Sequence, residues 1–262
     1  MRDVLDLDRY PLDQPGSAAF AALLAACHDA LTLHGMFNLE GFVRPAAVAR
    51  AAAEILPLSE RESYTHQRRH NVYFVDRVDG LPADHPALRQ FETIHHTLCD
   101  DQLAGTLVHE IYEWQPLVDF IARVMDKPQL FVMADPLARL NVMDYRPGEA
   151  LNWHFDRSQF TTTLLIQAAE AGGEFEYRTD LRSDTDPNYD GVARMLRGDD
   201  PQVHVNPLAG GTLNVFKGRN TLHRVSTVRG SRKRLIAVFS YYDRPGVLFS
   251  REERLGFFGR EA

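Results

Sequence analysis

Apolar positions recur at helical intervals through the first half of the chain and alternate through the second. Residues 1–16 carry Pro11 and Pro15 and read as an irregular lead-in. From Ser17 to about His34 an alanine- and leucine-rich run has helical spacing, with Ser17 as its N-cap and Gly35 as its stop. Met36 to Val43 alternates like a short strand. Pro45 suits the opening of a second helix over Ala46 to Leu56. Residues 57–90 are polar, histidine-bearing and rich in turn formers, so a loop partly covering a site is expected, with one short strand at Val72 to Val75. Two more helices are expected at about 86–99 and 101–126. The second places Leu107, Ile111, Trp114, Leu117, Ile121 and Val124 on one face.

After Lys127-Pro128 the apolar period becomes two. Strands are expected at 129–133, 137–145, 150–156, 160–168, 173–178, 202–206, 212–216, 222–228 and 234–242. Turn sequences such as Arg146-Pro147-Gly148-Glu149, Gly172-Gly173 and Leu208-Ala209-Gly210-Gly211 separate them. Many short strands at regular spacing predict a barrel or jelly roll. The exception is about 179–200, a polar insert with a short helix near Asn188 to Leu196. Helices followed by a β-core give an α+β fold. We expect one domain over residues 1–262, with 1–127 as helical and loop support and 128–245 as the core.

At 262 residues, 44% apolar and 25% charged, the chain has the composition of an ordinary soluble globular protein. A net charge of −7 argues against a nucleic-acid or anionic-membrane surface. No apolar run approaches the roughly 20 residues that span a bilayer, and Met1 to Asp6 lack a basic-then-apolar signal pattern. Cys27 and Cys99, the only cysteines, cannot form a disulfide framework. These features predict a cytoplasmic enzyme or binding protein with a small-molecule ligand; a homodimer is compatible with them.

The chemistry centres on Trp153-His154-Phe155-Asp156. Residues two apart on a strand share a face, so His154 and Asp156 converge, while Trp153 and Phe155 point to the core. His223 follows 67 residues after Asp156, and Arg234 eleven after that, opening an apolar strand. Two histidines and a carboxylate are the ligand set of non-heme Fe(II) oxygenases, with the other positions open. A 2-oxo acid and O2 could fill those positions, and the far carboxylate of the acid would need a fixed guanidinium. Arg234, Ile236, Val238 and Ser240 share a strand face; Arg232 is the rival, within the preceding turn. Asn141, Tyr145, Thr163, Thr212, Asn214 and Ser240 are candidates to hydrogen-bond the co-substrate. Arg157, Ser158, Arg146 with its neighbour Asp144, and His70 are candidates to contact substrate, with His66, Arg68 and Arg69 at its entrance. Two rival metal sites use helical spacing: His66 with His70, and His95-His96 with Cys99.

On His154, Asp156, His223 and Arg234 the chain resembles the Fe(II)/2-oxoglutarate-dependent oxygenases. More narrowly, Asn152 to Ser158, the Gly172-Gly173-Glu174-Phe175 turn, Pro187 to Asp190 and Gly211 to Arg219 look like the branch that hydroxylates or chlorinates free amino acids. The resemblance implies a double-stranded β-helix, Fe(II), 2-oxoglutarate and O2, an iron-borne oxidant, and succinate and carbon dioxide as co-products. Halogenases of that branch carry a small residue where this chain has Asp156, so hydroxylation of an unactivated C–H bond is expected. The polar lysine-binding residues associated with their last strand are not evident here, where Val238 is apolar. The alternatives are a hydroxylase of peptide side chains and a non-catalytic barrel holding a structural zinc. Residues 57–85 and 179–200 are the expected lids.

Overall fold

The computed structural model describes residues 1–261. The first half runs α1 (Ala18–His34), β1 (Met36–Leu39), α2 (Pro45–Glu62), β2 (Tyr64–His70), β3 (Phe91–Cys99), α3 (Asp100–Leu103), α4 (Leu107–Tyr112) and α5 (Gln115–Val124). The second half runs β4 (Phe131–Val132), β5 (Leu140–Tyr145), β6 (Leu151–His154), β7 (Thr161–Gln167) and β8 (Phe175–Arg178). It continues through α6 (Tyr189–Leu196), β9 (His204–Asn206), β10 (Leu213–Phe216), β11 (Leu222–Val225), β12 (Arg234–Phe239), β13 (Tyr241–Tyr242) and α7 (Arg251–Phe258).

Local chemistry sets the ends of α1 as expected. The Ser17 hydroxyl accepts the Phe20 N–H, and Gly35 closes the helix at φ 74°, in the left-handed region that glycine adopts without strain. The nine expected strands of the second half all form, with the last divided between β12 and β13.

The helical reading of 86–99 is corrected. Only Pro86–Leu88 makes a 3-10 turn, and Phe91–Cys99 is a strand. Ile94 and Leu98 lie four apart, a spacing that satisfies both a helical face and a strand face. Thr93, Ile94 and Thr97 tip the choice, because branched β-carbons fit a pleated sheet. The loop expected from residue 57 is also displaced. α2 continues through Pro57 to Glu62, β2 follows, and Val72–Val75 is a turn. The helix expected over 101–126 divides into three, interrupted at Gly105 (φ 79°) and again before Pro116.

Two antiparallel sheets form the double-stranded β-helix expected above. The larger has seven strands in the order β1-β10-β7-β12-β5-β3-β2, and the smaller has β6-β11-β8-β9. The larger sheet takes β1, β2 and β3 from before residue 127. Its outer face carries Leu140, Val142, Leu164, Leu213, Leu235 and Ala237 against α1, α2, α4 and α5, and this is the main core. Its inner face turns Tyr145, Leu165 and Ile236 toward Val225 of the smaller sheet. Sidedness of this kind follows from the period of two, and it leaves a narrow space between the sheets for polar side chains.

Candidate metal centre

β6 and β11 pair antiparallel, and His154 is the register partner of His223. Direct partners across a strand pair have their side chains close together, and the two imidazole centroids lie 4.2 Å apart. β6 ends at His154, so Asp156 stands just beyond the ladder. Its backbone N–H is held by the Gly218 carbonyl at 3.1 Å. One carboxylate oxygen, Oδ1, lies 3.3 Å from His154 Nε2 and 3.5 Å from His223 Nε2.

The orientation of each donor is fixed from behind. His154 Nδ1 donates to the Asn152 carbonyl at 2.8 Å, and His223 Nδ1 donates to the Thr221 carbonyl at 2.9 Å. Both Nε2 lone pairs therefore face the same point. Thr161 Oγ1 donates to Asp156 Oδ2 at 2.5 Å and leaves Oδ1 to face the imidazoles. Gly218 packs so closely that a Cβ there would stand 2.5 Å from both Asp156 Oδ2 and Thr161 Oγ1. Burial, reinforced by His223, lowers the pKa of His154 and keeps it a neutral donor. Burial pushes the Asp156 carboxyl up, but the His223 and His154 imidazoles outweigh it and hold the carboxyl well below its usual range.

The donor set fits iron. The three ligand atoms lie within 4.8 Å of one another, and no fourth histidine, cysteine or acid joins the group among the described residues. Three ligands on one side leave the sphere open, unlike the closed four-ligand sphere of structural zinc. The rival histidine clusters form no such group. His66, His70, His95 and His96 sit on β2 and β3, so the helical spacing that suggested them does not exist.

Arg234 opens β12 opposite Tyr145 of β5. It is only 2% exposed, and its Nη1 has no hydrogen-bond partner. Burial lowers its pKa to about 10, which leaves it charged at neutral pH. A buried cation without a counter-charge is costly, so a carboxylate is the natural complement. Gly173 lets the arginine pass, since a Cβ there would meet Arg234 Cδ at 3.0 Å. A cavity of about 200 Å³ reaches Arg234 past Leu165 and Phe175, and the Phe175 ring lies 5.5 Å from that of His223. Burial raises the Tyr145 hydroxyl pKa, with Arg234 lowering it and Asp156 raising it, so this ring feels both the guanidinium and the triad. Orphaned guanidinium and open triad together fit a 2-oxo acid chelated at one end and ion-paired at the other.

The other expected contacts divide. Thr163 and Asn214 are buried register partners on the inner face. Asn214 Nδ2 donates to Asn38 Oδ1, while its own Oδ1 and the Thr212 hydroxyl have no partner. Asn141 is engaged with the Leu137 carbonyl, and the Tyr145 hydroxyl with Met143 Sδ at 3.2 Å. His70 is in the site, its ring 6.5 Å from that of His154. Ser158 reaches Thr161 Oγ1 at 3.2 Å, one bond removed from Asp156. Arg157 is exposed and paired with Glu253 of α7 at 2.7 Å. Arg146 turns to Asp144, which accepts from Ser59 and Lys233 beside α2 on the outer face, so neither Arg146 nor Asp144 meets the triad. Thr161, Gly218 and Phe74 join the site without a metal-ligating or charged side chain to mark them in the sequence; Gly218 lies within the Gly211 to Arg219 motif.

Fold and site together define a 2OG-Fe(II) oxygenase. Within that class, a family model described as Halogenase D matches residues 21–247, and the chain belongs to that family. Among solved structures it resembles a 2OG-Fe(II) oxygenase family oxidoreductase from Burkholderia pseudomallei, with 16% identity, a TM-score of 0.52, and 86% of this chain and 92% of that one covered. A prolyl-4-hydroxylase from Pseudomonas putida matches with 19% identity and a TM-score of 0.50, covering 82% of this chain and 96% of that one. The epimerase SnoN, solved in complex with Fe3+, alpha ketoglutarate and nogalamycin RO, matches with 16% identity and a TM-score of 0.57, covering 85% and 84%. At such identities these structures establish the fold. No curated protein matches the chain. No helix among the described residues is long and apolar enough to cross a membrane.

Proposed function

We propose that this member of the family is a hydroxylase of a small polar molecule, a free amino acid or a close derivative. The observation that carries this reading is the Asp156 carboxylate, whose Oδ1 faces both imidazole Nε2 atoms at 3.3 and 3.5 Å. The halogenases that the sequence resembles have a small residue at this position, which frees a place for chloride; here a carboxylate fills it.

His154, Asp156 and His223 would hold Fe(II), and Arg234 would hold the distal carboxylate of 2-oxoglutarate. Bound iron, with 2-oxoglutarate and O2, supplies the oxidising power for attack on a C–H bond. The protein supplies orientation. Thr161 and the carbonyls of Asn152 and Thr221 fix the three ligands before any of them binds metal. Phe175 and Phe216 pack around His223, at 5.5 and 4.9 Å between centroids, and keep water from that side. The free, buried Cys27 and Cys99 suit a reducing compartment such as the cytoplasm.

The test is succinate release with Fe(II) and 2-oxoglutarate across a panel of free amino acids, with products weighed by mass spectrometry in the presence of chloride. A gain of one oxygen atom is expected. Chlorinated product, or no 2-oxoglutarate turnover by folded, iron-loaded protein, would overturn the proposal.

A further inference from the structure

The sequence suggests a lid at residues 179–200, but the structure puts this insert behind the metal centre. Trp153 and Phe155 flank His154, and Leu222 precedes His223, so all three leave the ligand face. On the far side of the smaller sheet they pack with Leu181 and with Val192 and Met195 of α6. The insert is a back-plate to the strand pair that carries both histidines.

Asn188, within the Pro187 to Asp190 motif, closes the insert on itself. Its Nδ2 donates to the Leu181 carbonyl at 2.7 Å, and its Oδ1 accepts the Gly191 N–H at 3.0 Å. A Cβ at residue 191 would collide with the Asn188 side chain. The Tyr73 hydroxyl donates to the Pro187 carbonyl at 2.7 Å, and the Tyr73 ring meets Phe155 at 5.7 Å and Tyr189 at 5.1 Å. The insert therefore also grips the turn after β2. That turn holds Phe74 at φ 57°, with its ring 4.7 Å from His70, 6.1 Å from His154 and 4.9 Å from the Cζ of Arg68.

One side chain ties the insert to a ligand. Arg182 Nε donates to the Arg219 carbonyl at 2.7 Å, and its Nη2 donates to the Asp156 carbonyl at 3.4 Å. Its Cζ lies 4.0 Å from the centre of the Phe155 ring. Arg219 donates from Nη2 to the Arg157 carbonyl at 3.3 Å and meets Asp184 at 3.7 Å. β6 ends at His154, so the carbonyls of Asp156 and Arg157 lie outside the strand ladder and need donors from elsewhere. Two guanidiniums supply them, and bonds from a charged donor are the stronger kind.

We infer that Arg182 is a positioning residue for the metal centre. It fixes the backbone of Asp156 from behind the sheet, while Thr161 fixes the carboxylate. Residues 179–200 are then a support that keeps the ligands in place with or without substrate. The inference needs the metal centre but not the hydroxylase reading.

The test is made without substrate. Arg182→Met keeps an aliphatic stem against Phe155 and removes both hydrogen bonds. Its cobalt(II) affinity should fall about tenfold, the low end of what loss of a ligand's outer support costs. The visible absorption of the bound cobalt(II) should change as well. Arg182→Lys can reach one carbonyl and should recover part of the affinity. With saturating Fe(II), uncoupled succinate release by Arg182→Met should show a lower kcat and an unchanged KM for 2-oxoglutarate, because Arg234 belongs to the other sheet. A lid would behave in the opposite way, with cobalt(II) binding left intact. Wild-type cobalt(II) affinity and absorption in Arg182→Met, whatever its Tm, would overturn the inference. If Arg182→Met does not fold, Arg182→Lys decides: it should bind cobalt(II) more weakly than wild type, and equal binding would overturn the inference. Cobalt(II) binding gives this answer even if the protein releases no succinate, so failure of the proposed reaction is a separate result.

Discussion

The two walls of the central space are built on opposite principles. On the wall made by β6 and β11, each donor's orientation is fixed by a hydrogen bond from behind, and the backbone approaches so closely that only glycine fits at residue 218. On the wall made by β2 and the turn after it, a bulky residue sits in an unfavourable backbone region and a guanidinium stands exposed without an ion pair. The first wall resembles the preorganised shell that metal chemistry needs, where small displacements are costly. The second has the features of a surface completed by its ligand. The contrast teaches that chemistry and selectivity occupy separate parts of this site, and substitutions on each should separate them.

The largest effect is expected on the rigid wall. Asp156→Ala or His223→Ala removes a donor outright. Fe(II) affinity should fall by more than the roughly 10- to 100-fold that loss of a ligand's hydrogen-bond partner costs. Cobalt(II) absorption and succinate release both read this. If His223→Ala binds metal like wild type, the centre lies elsewhere.

Arg234 comes next, and it should act with opposite signs on binding and stability. Truncating one partner of a buried charge pair costs about 2–5 kcal/mol, so Arg234→Met should raise the KM for 2-oxoglutarate roughly 30-fold or more. Without 2-oxoglutarate, the same change removes a desolvated cation whose Nη1 has no partner. The unliganded protein should therefore unfold at an equal or higher temperature. A large drop in Tm with unchanged KM would make Arg234 a structural residue.

Thr161→Val tests the support for the triad without touching a donor. It frees Asp156 Oδ2 from the bond at 2.5 Å. Metal affinity should fall by roughly 10- to 100-fold, with the fold intact by circular dichroism. Loss of less than twofold would mean that Gly218 packing alone orients the carboxylate.

How far the sequence reveals each wall follows from the same contrast. The rigid wall was legible because His154 and His223 are strand residues with a clear period of two, and because a guanidinium at the head of an apolar strand is conspicuous. Adjacency to the ligands is a poor guide past the strand's end. β6 stops at His154, so Arg157 turns outward to Glu253 although it follows the ligands directly. Arg146 also turns away from the triad, drawn to Asp144, which faces the helices. The adaptable wall was nearly invisible. Its strands carry polar residues on both faces, Ile94 and Leu98 satisfy either period, and the pairing of β2 with β3 spans a long loop. The left-handed Phe74 leaves no sequence signal, because turns of that kind ordinarily carry glycine or asparagine.

The smallest expected effect tests whether Phe74 belongs to the fold or to the ligand. A bulky residue at φ 57° costs about 1–2 kcal/mol relative to one that tolerates the conformation. Asparagine tolerates it, so Phe74→Asn should recover part of that cost while losing the contact with Arg68, worth about 0.5–1 kcal/mol at an exposed site. These terms nearly cancel, and stability should stay within about 1 kcal/mol of wild type, a shift in Tm of about 2–4 °C at most. Removing a phenylalanine from a packed core would instead cost about 3–5 kcal/mol. A loss of that size in thermal unfolding would make Phe74 part of the core, and the strained turn would no longer count as evidence for a wall that waits for its substrate.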